Sequence, residues 1–182
     1  TIAGIHYNFS MSDSFWEYWH QEQRSNASLQ DFKTESYFAL IRNFHRYSWM
    51  LLYLFGASPA LCQTFLQGKK HNLQTLHEGT LYEPYATSLR MGDLGYQSDA
   101  QEDLLVCYNH LSTYIESLHE AITTPHPDYQ DIGLKDADGN YKQLNTALLQ
   151  IENEFYSTIR PKRTIGSGEA ALNALLDRGI EY

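Results

Sequence analysis

Cysteine is nearly absent from this chain of 182 residues, which has two, Cys62 and Cys107. Neither has a CxxC or metal-ligand spacing around it, and a disulfide scaffold needs more of them. Both are expected to be reduced thiols of a cytoplasmic protein, with Cys107 on an otherwise apolar helical face. Basic residues are also scarce, 13 Lys and Arg against 22 Asp and Glu, for a net charge of -9. That balance argues against nucleic acid or an anionic membrane surface as the main partner. The longest apolar run, residues 47–62, is interrupted by Gly56 and Pro59 and falls short of a bilayer span. A basic leader is missing, and so is an initiator Met. Both ends are expected to be cut from something longer, because the chain opens as if in mid-sheet and stops as a strand begins.

Hydrophobic residues, by contrast, make up 42% and aromatics 14%, including 14 Tyr. One domain, or at most two small ones, can bury a core on that composition. Residues 1–9 alternate with a period of two and predict a strand, with Gly4, His6 and Asn8 on its polar face. Ser12 or Asp13 predicts the cap of a helix running to Arg24, followed by a polar linker over residues 25–30. Asp31 opens the longest predicted helix, where Tyr37, Leu40, Ile41, Phe44, Tyr47, Ser48, Leu51, Leu52 and Phe55 recur at spacings of three and four. Gly56 and Pro59 are its stop signals. Residues 59–66 suit a short helix, residues 68–79 a polar loop, and residues 84–96 an irregular segment. Asp99 and Glu102 form a capping-box pattern before a helix carrying Leu104, Leu105, Tyr108, Leu111, Ile115, Leu118 and Ile122. Asp138-Gly139-Asn140 predicts a tight turn between short strands. Residues 144–159 suggest a strand, residues 168–176 a last helix, and Ile180 the start of another strand.

Several catalytic signatures fail on spacing. Gly68-Lys69-Lys70 lacks the rest of a P-loop, and His119-Glu120 lacks the second His of a zincin. Asp136, Asp138 and Asn140 open like an EF-hand, but position twelve is Ala147, so a hairpin turn is the better reading. Three clusters remain, each open to two readings. His6 and Asn8 beside Gly4 suit a metal or phosphate site, or a strand whose His is satisfied by a carbonyl. Arg90, with Thr87, Ser88, Gly95 and Tyr96, can fork onto a carboxylate or phosphate, or form a surface salt bridge. Glu152 and Glu154 before Arg160-Pro161-Lys162-Arg163 can frame a nucleotide–metal complex, or make a charged strand and a solvated loop.

Together the clusters resemble the proteobacterial type of glutamate–cysteine ligase. The matching stretches are Thr1-Ile-Ala-Gly-Ile-His-Tyr-Asn-Phe-Ser10, Tyr53-Leu-Phe-Gly-Ala-Ser-Pro-Ala60, Pro84-Tyr-Ala-Thr-Ser-Leu-Arg-Met-Gly-Asp-Leu-Gly-Tyr96, Leu149-Gln-Ile-Glu-Asn-Glu-Phe-Tyr156, Ile159-Arg-Pro-Lys-Arg163 and Gly179-Ile-Glu-Tyr182. The resemblance implies ATP-dependent ligation of the glutamate γ-carboxylate to the cysteine amine through a γ-glutamyl phosphate, the first step of glutathione biosynthesis, with Mg2+ or Mn2+ as cofactor. It implies an α+β, glutamine-synthetase-like fold, with helices packed on part of a curved antiparallel sheet and dominating this segment. Residues 1–182 would form a single partial catalytic domain, the middle of the enzyme, inactive alone for want of the metal-binding carboxylates. His6 matches the position beside the metal and the ATP phosphates, with Asn8 next to it. Arg90 matches the catalytic, substrate-anchoring arginine, and Tyr96 and Tyr156 match the aromatic wall around cysteine. Arg160 and Arg163 fall in the basic segment assigned to the nucleotide. The implied partners are L-glutamate, L-cysteine and ATP, and the complete protein would be a cytoplasmic monomer. Another carboxylate–amine ligase of the same superfamily, or a non-catalytic helical interaction module, are the alternatives.

Overall fold

A computed structural model of the chain describes residues 7–56, 58–66, 68–89, 94, 99–101, 104–152, 155 and 157–181. It divides into two compact units, residues 1–43 with 104–182, and residues 44–103.

In the first unit, α1 (Asp13–Glu22) starts where Ser12 Oγ accepts the Phe15 N–H at 3.2 Å, the predicted cap. Trp16 is its buried residue and meets the Tyr37 ring edge-on, with centroids 4.8 Å apart. Helix α2 (Leu29–Phe55) begins two residues before Asp31, because Ser28 is the cap. Ser28 Oγ accepts from Asp31 N at 3.1 Å and donates to Asp31 Oδ2 at 2.6 Å. Its buried stripe is Lys33, Thr34, Tyr37, Phe38 and Ile41. The apolar set read from the sequence is therefore shifted: Phe38 is fully buried, whereas Leu40 and Tyr47 are exposed. Phe38 meets Tyr114 of α3 (Leu111–Thr123), with ring centroids 5.9 Å apart. Leu118, Ala121, Leu149 and, from α5 (Ala171–Arg178), Leu172 and Leu175 complete this core.

Two predicted elements differ here. Helix α3 starts at Leu111, not behind Asp99; a single 3-10 turn, Asp99–Gln101, stands at the predicted cap in the second unit. Thr113 Oγ1 accepts the His110 N–H at 3.2 Å and fixes the later start. Residues 104–108 run irregularly, with Leu104, Val106 and Tyr108 still packed on the core, so Cys107 lies outside a helix and donates its N–H to Ser117 Oγ. No strand forms among the described residues of 144–159. Side chains take the backbone groups a ladder would use: Asn145 Oδ1 accepts from Ala147 N, and Gln150 Oε1 from Leu144 N. Of the predicted opening strand, residues 1–6 lie outside the described residues, and residues 7–9 are exposed and unpaired in any strand.

The Asp-Gly turn is present. Asp136 Oδ1 accepts from Asp138 N and Asn140 N, both at 2.9 Å, but its flanking strands shrink to one bridge, Lys135 to Tyr141. A short helix, α4 (Pro127–Ile132), precedes it with Pro at the first turn. After α5, the strand expected at Ile180 is reduced to one parallel bridge between Glu181 and Arg163.

The second unit holds the one sheet among the described residues, a three-stranded antiparallel one ordered β1-β3-β2. It comprises β1 (Ala60–Cys62), β2 (Gln74–His77) and β3 (Thr80–Tyr82). The predicted short helix after Pro59 is thus a strand and a 3-10 turn, because Leu61 pairs with Leu81 and both are buried. The predicted loop before Gly79 contains β2, an exposed strand without the alternation that would reveal it. Gly56 follows α2 at a point where no side chain fits: a Cβ would overlap the Leu52 carbonyl and lie 2.6 Å from Thr87 O.

Among the described residues of the first unit, Gly179 is the most constrained glycine. Its φ of +70° with ψ of -169° is a conformation essentially reserved for glycine, and a Cβ would run into Thr34 Oγ1 and Gln30 Nε2 on α2. Gly179→Ala is expected to cost about 2–4 kcal/mol. Gly68→Ala, with nothing within 4 Å of the added Cβ, should cost about 1 kcal/mol from its positive φ alone. Urea unfolding midpoints of the two variants check the difference.

Candidate functional site

The basic run Arg160-Pro161-Lys162-Arg163 lines a cleft of about 280 Å³ within the first unit. Tyr114, Ala171, Leu172 and Leu175 give it an apolar floor, and Glu152, Thr164 and Ile165 complete the wall. Four local devices hold it. Glu152 Oε1 accepts the Ala171 N–H at 2.8 Å, placing a carboxylate on the first turn of α5. Arg160 Nη1 donates to Phe155 O at 3.0 Å. Arg163 Nη1 donates to Glu181 Oε2 at 2.9 Å and to Arg178 O at 3.2 Å. Arg178 Nη2 in turn donates to Thr164 O and to Glu169 Oε2, and the same Glu169 oxygen accepts from Gly166 N at 2.8 Å.

The cleft brings three cations together on a chain that is acidic overall. Behind it, Tyr114 and Tyr108 lie with ring centroids 5.5 Å apart, and Tyr108 donates to Ser157 Oγ. Burial pushes both phenols up from their ordinary range; for Tyr108 the Ser157 bond and the Arg160 charge oppose this, and for Tyr114 the Arg160 charge does. Both stay neutral at any physiological pH. An anion with an apolar part suits such a cleft, since guanidinium groups supply planar donors and the leucine side chains offer an apolar contact.

Of the residues singled out from the sequence, Arg160 and Arg163 are brought together here, joined by Lys162. Asn8 lies in the exposed opening segment. His6, Arg90, Tyr96 and Tyr156 lie outside the described residues. Sequence reasoning missed the partners that set Arg163: Glu181, and behind it Lys33 of α2, which is buried and lies 2.7 Å from Asp13 Oδ1 and 3.9 Å from Glu181 Oε1. The available signal was a lysine four residues after Leu29 and four before Tyr37, on the stripe that faces the core. Among the described residues no three of His, Cys, Asp and Glu gather at metal-ligand range, so these residues do not by themselves fit a metal ion. Nor, among them, is any helix long and apolar enough to cross a membrane.

Glu169 offers a pH test of the wall. The Gly166 N–H holds its carboxyl below the usual range; burial opposes this, and the Arg178 charge and hydrogen bond and the Arg163 charge add to the lowering. A folded-state value below the unfolded one gives stability that is present above the unfolded carboxylate range and lost as pH falls through the folded value. Glu169→Gln is therefore expected to lower the melting temperature at pH 7 and to match the parent protein at pH 2. Melting curves across that interval check it.

Three comparisons bear on this geometry. The family described as glutamate–cysteine ligase matches residues 1–182. The glutamate–cysteine ligase of Saccharophagus degradans is 65% identical over 183 residues, covering 100% of this chain and 34% of the relative. The crystal structure of glutamate–cysteine ligase from Francisella tularensis in complex with AMP is 39% identical with a TM-score of 0.79, over 93% of this chain and 32% of that one. A bifunctional glutathione synthetase from Pasteurella multocida is 26% identical with a TM-score of 0.58, over 94% of this chain and 17% of that one. The chain spans about a third of the length of the curated relatives it matches. A match along every residue, with a TM-score of 0.79 to a solved ligase, leads to one assignment: the chain belongs to the glutamate–cysteine ligase family.

Proposed function

We propose that the complete protein is a cytoplasmic, monomeric ATP-dependent ligase that joins the γ-carboxylate of L-glutamate to the amine of L-cysteine, and that residues 1–182 form part of its single, glutamine-synthetase-like catalytic domain. The observation that carries this reading is the likeness along nearly the whole chain to a ligase solved with AMP. The cleft of Arg160, Lys162 and Arg163 supports a nucleotide role for that segment, because three cations over an apolar floor suit phosphates attached to a flat base.

The reaction runs in two displacements. A γ-carboxylate oxygen attacks the terminal phosphorus of ATP, and ADP leaves. The cysteine amine then attacks the acyl carbon, phosphate leaves, and the amine proton is lost to solvent or a base. Charge on the transferring phosphoryl group must be met by fixed cations, and the acyl phosphate must be kept from water. Arg90 is assigned to the glutamyl carboxylate and acyl phosphate, Tyr96 and Tyr156 to the wall around cysteine, and His6 and Asn8 to the phosphates. Arg160 and Arg163 are assigned to the nucleotide. Mg2+ or Mn2+ belongs to the proposal through the family resemblance, with His6 beside it; since the described residues do not fit a metal, no step here runs through one.

Two measurements on the complete protein test this. ATP- and cysteine-dependent formation of γ-glutamylcysteine with stoichiometric ADP is expected, and Arg160→Ala should raise the KM for ATP about tenfold, with less change for either amino acid. No dipeptide formation would overturn the reading. Arg90→Lys keeps the charge but gives up the planar fork. It is expected to lower kcat/KM for glutamate by roughly two orders of magnitude, about 2.7 kcal/mol, while KM for cysteine changes far less. Steady-state kinetics with each substrate varied, beside a melting curve, checks this, and full activity of the lysine variant would make Arg90 a structural cation.

A further inference from the structure

Glu181 lies at the end of a chain of contacts that starts on α2 and finishes in the cleft. Ile180 N donates to Thr34 Oγ1 at 3.4 Å, and the Gly179 backbone fits against Thr34 and Gln30 with no room for a side chain. Two backbone bonds then tie Glu181 to the cleft wall, Glu181 N to Lys162 O and Thr164 N to Glu181 O, both at 3.1 Å. Its carboxylate is shared between two cations from different elements. Oε2 accepts from Arg163 Nη1 at 2.9 Å, while Oε1 lies 3.9 Å from the buried Lys33 ammonium. Arg163 Nη1 is thus committed to Glu181 and to the Arg178 carbonyl, and this fixes the plane in which its guanidinium lies beside Lys162.

We infer that Glu181 is a positioning residue of the nucleotide cleft: its carboxylate reaches Arg163 and sets the orientation in which that guanidinium meets an anion, without touching the ligand itself. The inference rests on the nucleotide reading of the cleft given above. Reach, not charge, is the operative property. The charge of Glu181, 3.9 Å from the buried Lys33 ammonium, adds to the match that Asp13 makes at 2.7 Å and so contributes to stability. Its length serves Arg163. The two uses come apart by substitution. Glu181→Gln keeps an oxygen at the same distance and removes the charge. Glu181→Asp keeps the charge and withdraws it by one methylene, about 1.5 Å, beyond hydrogen-bond distance of Nη1.

The experiment measures the AMP dissociation constant of the complete protein by calorimetry, with a melting curve for each variant and Arg160→Ala as reference. Glu181→Asp is expected to weaken AMP binding about tenfold with little loss of thermal stability. Glu181→Gln should lower the melting temperature and weaken AMP binding less than threefold. The opposite order, with Gln weaker for AMP than Asp, would overturn the inference, because the carboxylate would then act by charge. Weakening by Arg160→Ala alone would also overturn it and leave the nucleotide reading standing. No weakening in any of the three variants would remove both.

Discussion

The stripe of α2 formed by Lys33, Thr34, Tyr37, Phe38 and Ile41 is the surface against which the first unit is built. Burying a phenylalanine is worth roughly 2–3 kcal/mol, and Phe38 is fully buried against α3 while Tyr37 holds Trp16 of α1. Phe38 and Tyr37 are neighbours in sequence, about 100° apart around the helix, so one stretch of α2 gathers α1 and α3 together. The polar members of the stripe do a different job. Thr34 and Lys33 receive the turn after α5, and Arg42 Nη1 holds the approach to α3 by donating to Tyr108 O and Asn109 O.

That division explains how a basic cleft persists on an acidic chain. Of 13 Lys and Arg residues, three lie within four positions, and left alone they would repel one another. Glu181 offsets Arg163, the carbonyls of Phe155 and Arg178 take up donors of Arg160 and Arg163, and the neighbouring Arg178 is matched by Glu169 and Thr164 O. The two guanidinium groups are therefore held at defined angles, and an arriving anion meets groups whose ordering cost has already been met by the fold. Lys33 supports this from behind. A buried ammonium is unfavourable unless matched, and Asp13 at 2.7 Å matches it, so the Glu181 carboxylate is only partly engaged there and can serve Arg163.

Helix-level features of this fold could be read from the sequence, and the sheet could not. Ser12 as a cap, the length of α2, and the Asp136–Asn140 turn each follow from side chains that bond to their own neighbourhood, so local chemistry decides them. The strands β1, β2 and β3 are three or four residues long, too short for a period to show, and are set by Leu81 pairing with Leu61 of β1 and with Thr75 of β2, which the turn at Gly79 joins to β3. Residues 144–159 gave a false strand because their alternation of apolar and acidic residues arises from separate duties: Leu149 plugs the core and Glu152 meets the start of α5. Of the candidate site, Arg160 and Arg163 were visible as a basic run. Glu181, the partner of Arg163, was not, since it stands 18 residues beyond it and is brought back by the turn seated on α2.

The central claim is that the cleft wall is held by α2 through residues 179–181, so that wall and helix open together. Native-state hydrogen exchange of the complete protein tests it at three amides, Thr164, Ile180 and Glu181, against Phe38 and Ile41 in the buried part of α2. The five amides are expected to share one opening free energy, and all five to fall together when Gly179 is replaced by alanine. Exchange of Thr164 and Glu181 at the rate of an exposed loop, with Phe38 and Ile41 still protected, would contradict it.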